Sequence, residues 1–562
     1  MNPNVSDTFT PPVVKKRTNT IIIYRDSIVK MMKINSGIFL SPALFLCYIR
    51  HMDEKILVRG VNWVGDSIMM LPALWSVKKA FPRALLSLLV KPSVAPLLEH
   101  DPHIDEIMIY GEEFKGLTGR IRLARFLRKR GFSKAILFQN AFDAALIAFL
   151  AGIPERIGYK RDWRGPLLTN AVPFHNEDRE LHHTEYYLNM LRASGMPSAY
   201  SRPWIYLLLE ERFSARQRLS PLRRPILGIN PGSAFGPAKR WFPGRFGTIA
   251  ERFLHDTGGS VVLFGGKGEK EVTEQVLESI SRESRSCAQV LNIAGSTTLR
   301  DLVSLISECD LFVSNDSGPM HLSYAVGTPL VAIFGSTSPG LTGYEGGCSA
   351  VIKSNVPCNP CFERECRKGD LKCMEEIAPD DVYTRMKDVM STRKAVFFDR
   401  DGTLCRDSGY LSNWRNFQVL PEVESINILK NKAYLLIGIS NQSGIRKGLV
   451  NESFVEEVNR FFIDTYGFDD FFYCPHGPDD HCMCRKPEPG MVVMARERYM
   501  IDSRKSYMVG DKDIDMLLAK AVGAKGIFVK TGHQGISAYA DYVATGLREA
   551  VDHIMKDGFG DP

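Results

Sequence analysis

Short apolar runs that end in Gly, Asn, Asp or Ser recur along the chain and alternate with longer segments of helical periodicity. Examples are residues 56–58, 135–138, 226–229, 261–264, 311–313 and 330–334. A run that is apolar at successive positions predicts a strand buried on both faces, and alternation with helices predicts parallel sheets. Ligands of such sheets bind beyond the carboxyl ends of the strands. The sequence therefore predicts an α/β protein whose functional residues lie in the turns that follow the strands.

The chain has 562 residues, more than one hydrophobic core usually organises, so several domains are expected. A Pro- and Arg-rich join at residues 220–225 and a polar join at 391–394 interrupt the pattern. We predict domains at 52–220, 221–390 and 394–550. Residues 1–51 are interpreted either as upstream sequence from a start codon assigned too early, or as an unstructured extension or weak membrane anchor.

Composition excludes several classes of protein. Seventy-one Lys and Arg against 64 Asp and Glu give a net charge of +7, too small to indicate nucleic-acid binding in so long a chain. The longest nearly apolar stretch, residues 37–49, is shorter than the roughly 18 residues that a transmembrane helix needs. Twelve cysteines are too few for a disulfide-stabilised secreted scaffold of this length, so a cytoplasmic protein is predicted.

The first polar cluster, residues 61–66, follows the strand at 56–58 and opens a predicted helix. A carboxylate at such a turn faces the crevice beyond the sheet and can take a proton from a substrate. Aspartate is also a favourable helix N-cap, so the position alone leaves two interpretations open. Asp66 is the candidate base.

Two further clusters follow later strands. Residues 230–233 form a small-residue turn shortly before Lys239 and Arg240, and these cations either neutralise a diphosphate or belong to a solvated basic loop. Residues 314–321 place Pro319 early in a helix, and the free N–H groups there either hold an anion or belong to an ordinary capped turn.

Together the three clusters resemble those of the ADP-heptose:lipopolysaccharide heptosyltransferases, in particular the heptosyltransferase II group. The resemblance spans about residues 52–383, and its most specific motifs are NWVGD at 62–66, FGPAKRW at 235–241 and NDSGPMH at 315–321. Pro319 is a mild departure, because leucine or a similar residue is expected there. The family implies the GT-B fold, with two Rossmann-like domains for the acceptor and the nucleotide sugar.

The same resemblance implies an inverting sugar transfer that needs no metal or other cofactor. Asp66 would deprotonate the acceptor hydroxyl. The diphosphate and sugar of ADP-heptose would be held by Lys239, Asp316, Ser317 and Gly318. The acceptor would be the lipid A–core molecule, which implies that a cytoplasmic chain works at the surface of the inner membrane. No nucleic-acid partner is predicted.

Four cysteines fall within sixteen residues of one segment, Cys358, Cys361, Cys366 and Cys373. Thiolates suit tetrahedral zinc, but the irregular later spacing equally fits reduced thiols or a redox-sensitive pair. We leave these alternatives open and do not count the four residues among the predicted metal ligands.

Asp399 and Asp401 follow a predicted strand at 395–398, within the motif DRDGT. Carboxylates at positions i and i+2 lie on the same side of an extended chain, so both can act on one substrate group. Two neighbouring acids at a strand end need a cation between them, and Mg²⁺ prefers oxygen ligands. The motif therefore predicts a magnesium-dependent site.

Three later segments complete a second pattern, Ser440 at a strand end, RKP at 485–487 and GDKxxD at 510–515. In this order the segments resemble the haloacid dehalogenase (HAD) superfamily of phosphotransferases, whose sheet is parallel and Rossmann-like. The resemblance implies that Asp399 attacks phosphorus and that Asp401 serves as general acid and then general base. It also implies roles for the remaining residues: Ser440 and Lys486 would bind the phosphoryl group, and Asp511, Asp399 and the Asp401 carbonyl would hold Mg²⁺, with Asp515 behind them.

Cys474, His476, Cys482 and Cys484 form two ligand pairs, each two residues apart, on either side of a short loop. This spacing predicts a structural Cys₃His zinc site, for which His481 is a competing ligand. Because Arg485 and Lys486 follow at once, zinc would stiffen the loop that presents these cations to phosphate.

The zinc-loop branch of the superfamily, with DSGY at 407–410, resembles the D-glycero-D-manno-heptose 1,7-bisphosphate 7-phosphatases over about residues 394–532. Histidinol-phosphate phosphatases share much of this pattern. Little sequence is available for a large cap domain between the motifs, so none is expected and loops such as 443–448 would shape the substrate pocket. Arg446, Lys447 and Arg485 either contact a second phosphate or are exposed cations, and Arg485 is included among the predicted substrate ligands.

The two halves point to one chemistry, the making and installing of heptose in the lipopolysaccharide core. This shared logic favours heptose bisphosphate as the phosphatase substrate. The alternative is a phosphatase for histidinol phosphate or another small phosphomonoester. The first half would then be a non-catalytic binding module. Adenylylation and epimerisation would separate the two steps, so the fusion alone does not predict channelling.

Overall fold

The computed structural model describes residues 54–286, 289–480, 482–532 and 535–557, together with the backbone of 13–15. Three mainly parallel sheets are present, which confirms the predicted α/β class, and the chain divides into two compact units, Met1–Ile205 and Tyr206–Pro562. The domain boundaries given above remain predictions, and the segment 1–51 lies outside the described residues apart from 13–15. Within the described ranges, no helix combines the length and hydropathy that crossing a membrane requires.

The first unit contains one sheet in which a single edge strand, Val13–Lys15, runs antiparallel to its neighbour. In spatial order the parallel strands are Glu106–Ile109, Leu85–Val90, Lys55–Arg59, Lys134–Leu137, Glu155–Tyr159 and Asn170–Val172. The α-helices are Val64–Ala80, Ala95–Leu98, Gly116–Arg130, Phe142–Leu150 and His183–Ala193, and short 3₁₀ turns lie at Glu112–Phe114, Gly165–Leu167 and Glu177–Arg179. Lys55–Arg59, the first of the parallel strands in sequence, is central, so the turn after it opens at the point where strand order reverses.

The second unit begins with a fully parallel sheet. Its strands in spatial order are Val290–Asn292, Ser260–Leu263, Ile226–Asn230, Leu311–Asn315, Leu330–Phe334 and Ser349–Lys353. The helices are Leu209–Leu219, Pro243–Thr257, Lys270–Ser279, Arg282–Ser286, Leu299–Ser307, Gly318–Val326, Pro339–Thr342, Lys372–Glu375 and Pro379–Met390, with 3₁₀ turns at Pro237–Lys239 and Lys267–Glu269. Every residue of Leu330–Phe334 is buried, as expected for a strand covered on both faces.

The third sheet, also parallel and in the second unit, has the strand order Asp470–Cys474, Tyr434–Asn441, Lys394–Phe398, Tyr507–Gly510, Lys525–Val529 and Tyr542–Ala544. Its α-helices are Ser443–Arg446, Glu452–Tyr466, Gly490–Tyr499, Asp513–Val522 and Leu547–Asp557, and its 3₁₀ segments are Trp414–Asn416, Val423–Lys432, Pro478–Asp480 and Ser503–Lys505. Alternate residues of the central strand pack into different cores, Val396 and Phe398 into one and Ala395 and Phe397 into the other. The strand is therefore covered on both faces, and its carboxyl end is the open edge.

The two sheets of the second unit meet along a polar seam. Arg496 donates a hydrogen bond to the Gly327 carbonyl, which ends helix Gly318–Val326. Tyr324 Oη lies 3.2 Å from Glu497 Oε1, and Arg504 donates to the Cys309 carbonyl. The buried Arg496 and the largely buried Arg504 satisfy backbone carbonyls of the neighbouring sheet and so hold the two sheets together here.

Candidate active sites

Asp66 lies in the first turn of helix Val64–Ala80, directly after the central strand of its sheet. The N-cap of this helix is Trp63, so Asp66 does not occupy the capping position. Its Oδ1 lies 3.4 Å from His183 Nδ1, and both side chains remain partly exposed. A partly exposed carboxylate without a capping role is available to take a proton.

His183 is a residue that the sequence analysis did not single out. It begins helix His183–Ala193, which packs against helix Val64–Ala80 and thereby crosses 117 positions of sequence to reach Asp66. Two adjacent histidines at the start of a helix, His182 and His183, were the signal in the sequence. Such a pair does not indicate which strand end it will approach.

Lys239 and Asp316 meet although 77 positions separate them in the sequence, with Lys239 Nζ 2.5 Å from Asp316 Oδ2. Asp316 follows the strand Leu311–Asn315 and is buried, and the Thr337 hydroxyl donates to the same Oδ2 at 2.6 Å. The 3₁₀ turn Pro237–Lys239 carries the lysine to this point. Two of the predicted nucleotide-sugar residues thus form one charged pair at the carboxyl edge of the sheet.

Ser317 and Gly318 continue the same edge. Ser317 Oγ accepts a hydrogen bond from Asn230 Nδ2 at 3.2 Å and lies 3.0 Å from Ser314 Oγ. Gly318 is the first residue of helix Gly318–Val326, and Pro319 lies in its first turn. The first N–H groups of a helix have no partners within it and favour negative charge, so with Lys239 they make an environment suited to a diphosphate.

Asn315 holds the two turns of this site in place, a role that the sequence analysis missed. Its Oδ1 accepts from the Trp241 N–H at 3.0 Å, and its Nδ2 donates to the Pro231 carbonyl at 2.7 Å. Gly236 is required between these turns, because a Cβ there would lie 2.4 Å from the Arg364 carbonyl oxygen.

The segment that contributes Arg364 also carries the four clustered cysteines. Cys358 and Cys361 are exposed, Cys366 is intermediate and Cys373 is buried, and burial raises the pKa of the Cys373 thiol. All four lie in the described part of the chain, and no three of them come together as ligands of one metal ion. The structure therefore gives them no assigned role.

Asp399 follows the central strand of the third sheet and faces Lys486. Lys486 Nζ lies 2.6 Å from Asp399 Oδ1 and 2.7 Å from Asp515 Oδ1, and it donates to the Ile439 carbonyl at 2.9 Å. Burial alone would lower the pKa of Lys486, but the two carboxylates outweigh burial and the net direction is upward. The two carboxylates thus favour the charged form of the buried Lys486 ammonium, which lies against the predicted nucleophile.

Asp399, Asp511 and Asp515 bring one carboxylate oxygen each within 4.8 Å of the others. Asp511 is fully buried, and neither of its oxygens accepts a hydrogen bond from the described residues. Burial and the Asp399 charge raise the pKa of Asp511 to about 8, and burial raises that of Asp515 to about 6. A divalent cation would neutralise this group, so these residues fit Mg²⁺, with Asp515 closer to the site than expected.

Sterics explain why the DRDGT motif has a glycine at this site. Gly402 adopts φ +98°, and a Cβ on it would lie 2.3 Å from Asp511 Oδ2. Any other residue would be strained and would push the Asp511 carboxylate out of the group.

Asp401 makes a different set of contacts. Arg400 Nη2 lies 3.1 Å from Asp401 Oδ2, and Gln442 Nε2 donates to the same oxygen at 2.6 Å, with Ser440 Oγ at 3.5 Å. Burial alone would raise the pKa of Asp401, but Arg400 and the hydrogen bonds from Gln442 and Cys405 lower it overall. Its ionised form suits the base half of the implied role, in which Asp401 activates water.

Arg400, Gln442 and Lys512 were missed by the sequence analysis. Arg400 is buried and holds Asp401, and Lys512 Nζ lies 3.3 Å from the Asp401 carbonyl oxygen and 2.9 Å from Asp407 Oδ2. The signals were a charged residue between two aspartates and a lysine next to Asp511.

The sulfur and nitrogen atoms of Cys474, His476, Cys482 and Cys484 gather within 4.8 Å of one another. Cys474 Sγ lies 3.5 Å from Cys482 Sγ and 3.6 Å from His476 Nδ1, which lies 3.3 Å from Cys484 Sγ. Tetrahedral zinc, with Zn–S of about 2.3 Å and Zn–N of about 2.0 Å, places its ligands roughly 3.5–3.8 Å apart. The separations fit such an ion, and His481 lies outside the described residues.

The loop of this cluster is tied to the phosphatase site. Arg485 Nη1 donates to the His476 carbonyl at 3.3 Å, and the Lys486 N–H donates to Asn441 Oδ1 at 2.9 Å. Of the other cations considered for a second phosphate, Arg446 pairs with Asp480 at 3.4 Å, and Lys447 donates to the Tyr410 hydroxyl at 2.6 Å.

Comparisons with known proteins support the family resemblance of each half of the chain. Residues 120–372 match glycosyltransferase family 9 (heptosyltransferase), and residues 483–550 match the HAD-hydrolase-like family. The lipopolysaccharide heptosyltransferase 2 of Escherichia coli K12 is 30% identical over 351 residues, which cover 61% of this chain and 100% of that protein. The D-glycero-beta-D-manno-heptose-1,7-bisphosphate 7-phosphatase of Haemophilus ducreyi is 38% identical over 180 residues, which cover 29% of this chain and 98% of that protein.

A solved structure supports the fold of the first half. The structure of E. coli ADP-heptose lipopolysaccharide heptosyltransferase II matches with a TM-score of 0.52 at 29% identity. The aligned region covers 60% of this chain and 98% of the E. coli chain. The expected order of a GT-B glycosyltransferase followed by a HAD-like phosphatase is confirmed. The chain therefore belongs to the family 9 heptosyltransferases over its first part and to the HAD-like heptose bisphosphate phosphatases over its last part, joined in one polypeptide.

Proposed function

We propose that this chain is a bifunctional enzyme of lipopolysaccharide core heptose. One half transfers heptose from ADP-heptose to the inner-core acceptor, and the other hydrolyses the 7-phosphate of D-glycero-D-manno-heptose 1,7-bisphosphate. One observation carries the proposal: the charged residues that each reaction needs lie at the carboxyl ends of central strands. The transferase half has Asp66 and the Lys239–Asp316 pair, and the phosphatase half has the group of Asp399, Asp511 and Asp515. Near-full-length similarity to heptose enzymes in both halves supports the same substrates.

In the proposed transfer, Asp66 takes the proton of the acceptor hydroxyl as its oxygen attacks the anomeric carbon from the face opposite the diphosphate. Lys239 and the start of helix Gly318–Val326 stabilise the negative charge of the departing ADP. These groups perform the charge stabilisation, so no cofactor is proposed for this half. The acceptor is lipid-linked, and we place the reaction at the cytoplasmic surface of the inner membrane.

In the proposed hydrolysis, the Asp399 carboxylate attacks phosphorus and forms an aspartyl-phosphate while Asp401 protonates the leaving sugar oxygen. Asp401 then takes a proton from the water that cleaves the intermediate. Lys486 and Ser440 contact the phosphoryl oxygens, and Arg485 contacts the substrate at the rim of the phosphatase site. Mg²⁺, held by Asp399, Asp511 and the Asp401 carbonyl with Asp515 beside them, would supply neutralisation of the phosphoryl charge when bound.

Two assays on the purified full chain test the proposal. Transfer is measured from ADP-heptose to a heptose-accepting core, and phosphate release is compared between heptose 1,7-bisphosphate and histidinol phosphate. We expect transfer and a clear preference for the heptose substrate. Faster hydrolysis of histidinol phosphate together with absent transfer would support the alternative, a small-substrate phosphatase joined to a binding module.

The magnesium site gives one prediction. Asp511→Asn removes a buried carboxylate that has no hydrogen-bond partner among the described residues, so Mg²⁺ binding should weaken and phosphate release should fall on the order of a thousandfold. Titrating activity with Mg²⁺ measures the change. The control is Asp513→Asn, which lies two residues away and outside the group of three carboxylates. An unchanged magnesium dependence in Asp511→Asn would contradict the assignment.

The zinc loop gives a second prediction. Cys474→Ser alters a buried member of the Cys₃His group, so zinc bound per chain should fall from one to near zero. Losing a structural zinc should destabilise the phosphatase domain by several kcal/mol, since metal binding and folding are coupled. Elemental analysis and thermal unfolding measure both effects, and Cys358→Ser, an exposed thiol outside the group, is the control. Equal zinc content in both variants would rule out this site.

A further inference from the structure

A cavity of about 850 Å³ lies in the second unit, between its two sheets, and we call it the seam cavity. One wall comes from helix Leu209–Leu219 and the chain around residues 220–225 and 308–310, and the other from residues 502–505 and 520–525. Its volume is that of pockets that bind small ligands, about 300–1,000 Å³. Neither proposed reaction uses any of these residues.

Ten of the eighteen residues that line the seam cavity are charged. Its six cations are Arg216, Arg224, Arg504, Lys505, Lys520 and Lys525. Its four carboxylates are Glu308, Asp310, Asp502 and Asp541. Lys525 also pairs with Asp557 outside the lining, at 2.6 Å, so cations exceed these five carboxylates by one. An excess of cations in a recess favours an anionic ligand.

On the first wall, buried carboxylates lie behind partly exposed arginines. Glu308 is only 3% exposed and lies 3.0 Å from Arg216 Nε, whereas Arg216 is 48% exposed. Arg224 is 47% exposed, with Nη1 3.0 Å from Asp310 Oδ2. A guanidinium has five N–H donors, so both arginines are oriented by a carboxylate and keep further donors for a ligand.

On the opposite wall, Arg504 is largely buried between Asp502 and Asp310, with Nε 3.2 Å from Asp502 Oδ1. Lys505 is next in sequence and lines the cavity, and no carboxylate of the described residues pairs with its ammonium within 4 Å. The Lys505 ammonium acts on the Asp502 carboxylate at longer range but is held in no close ion pair of the described residues, so it can contact a ligand.

The crowding of cations extends behind the lining. Arg212 is buried next to Glu308, with Nη1 3.7 Å from Glu308 Oε1. Burial lowers the pKa of Arg212 to about 10, and Arg216, Arg496 and Arg504 act in the same direction against Glu308. Positive charge is thus in surplus around Glu308.

We propose that the seam cavity binds a phosphorylated small molecule with at least two negative charges, contacted through its phosphate oxygens by Arg216, Arg224 and Lys505. Arginine forks match the geometry of phosphate, and charge-assisted hydrogen bonds of this type are the strong ones. This site is separate from both proposed active sites and does not depend on their assignment. A nucleoside diphosphate and inorganic phosphate share this chemistry, and the test distinguishes them.

The test is calorimetric titration of the full chain with pyrophosphate, with the number of binding sites as the readout. Lys505→Glu is compared with the parent and with Arg460→Glu, an exposed cation on helix Glu452–Tyr466 outside the cavity. We expect one fewer site in Lys505→Glu, or at least a roughly tenfold weaker one, because a charged contact has become repulsive. Both enzymatic activities should remain at the parent level in this variant.

Parallel titrations with ADP and with inorganic phosphate identify the source, since only the true ligand class loses a site in Lys505→Glu. Lys505→Ala replaces it if the glutamate variant does not purify as a folded protein. Identical site numbers and affinities in the parent and the Lys505 variants would overturn the proposal. Equal weakening in Arg460→Glu would also overturn it, because the effect would then be one of net charge.

Discussion

Replacing Asp399 with asparagine is expected to abolish phosphate release from heptose 1,7-bisphosphate, by roughly four orders of magnitude or more, while heptosyl transfer continues. An amide cannot form the acyl-phosphate on which the proposed hydrolysis depends, and loss of a nucleophile removes nearly all catalysis of such a step. Phosphate release at saturating Mg²⁺ measures the effect. Single-turnover trapping should show a phosphorylated parent enzyme and no phosphorylated variant.

The variant should fold, because Lys486 retains Asp515 at 2.7 Å and the Ile439 carbonyl at 2.9 Å after the Asp399 charge is lost. Asp464→Asn, an exposed aspartate on helix Glu452–Tyr466, is the matched control and should hydrolyse normally. Hydrolysis within tenfold of the parent by Asp399→Asn would show that another group is the nucleophile.

Asp66→Ala is expected to lower heptosyl transfer by about 10²–10⁴-fold, the usual contribution of a general base. ADP-heptose affinity should change little, because the proposed diphosphate ligands are Lys239 and the start of helix Gly318–Val326. Initial rates of transfer and equilibrium binding of the nucleotide sugar separate the two effects.

Glu185→Gln is the control for Asp66→Ala. It also removes a carboxylate near His183, but the ion-pair partner of Glu185 is Arg192. Transfer should be normal in this control. Parent-level transfer by Asp66→Ala would refute the base assignment and would point to another group near His183. Phosphate release should be unaffected in both variants, and its loss would indicate a folding defect.

Local sequence predicted the strands and the residues at their ends well. The expected run at 330–334 is the strand Leu330–Phe334, and the run at 395–398 lies within Lys394–Phe398. Asp66, Asp316, Asp399 and Asp511 each follow a central strand or its neighbour. These predictions succeed because a buried parallel strand and its turn are encoded by contiguous residues.

Ligand groups with close spacing in sequence were also predictable. Cys474, His476, Cys482 and Cys484 lie within eleven residues, and the structure gathers them as the spacing indicates. The other cysteine segment shows the limit of this argument. Cys358, Cys361 and Cys366 lie near enough to Cys373 to raise the pKa of its thiol, yet no three of these four described residues come close enough to share one metal ion. Spacing permits a cluster, and the path of the loop decides whether one forms.

The sequence by itself determined the fold class, the two enzyme families and the residue types at each strand end. Only the tertiary structure decided that His183 reaches Asp66, that Lys486 bridges Asp399 and Asp515, and that a cationic cavity lies along the seam. Strand and turn preferences act between near neighbours, whereas His183 and Asp66 are 117 positions apart and the seam contact between Arg504 and Cys309 joins residues 195 positions apart. Their formation depends on the spatial order of strands and the packing of helices, which no local pattern specifies.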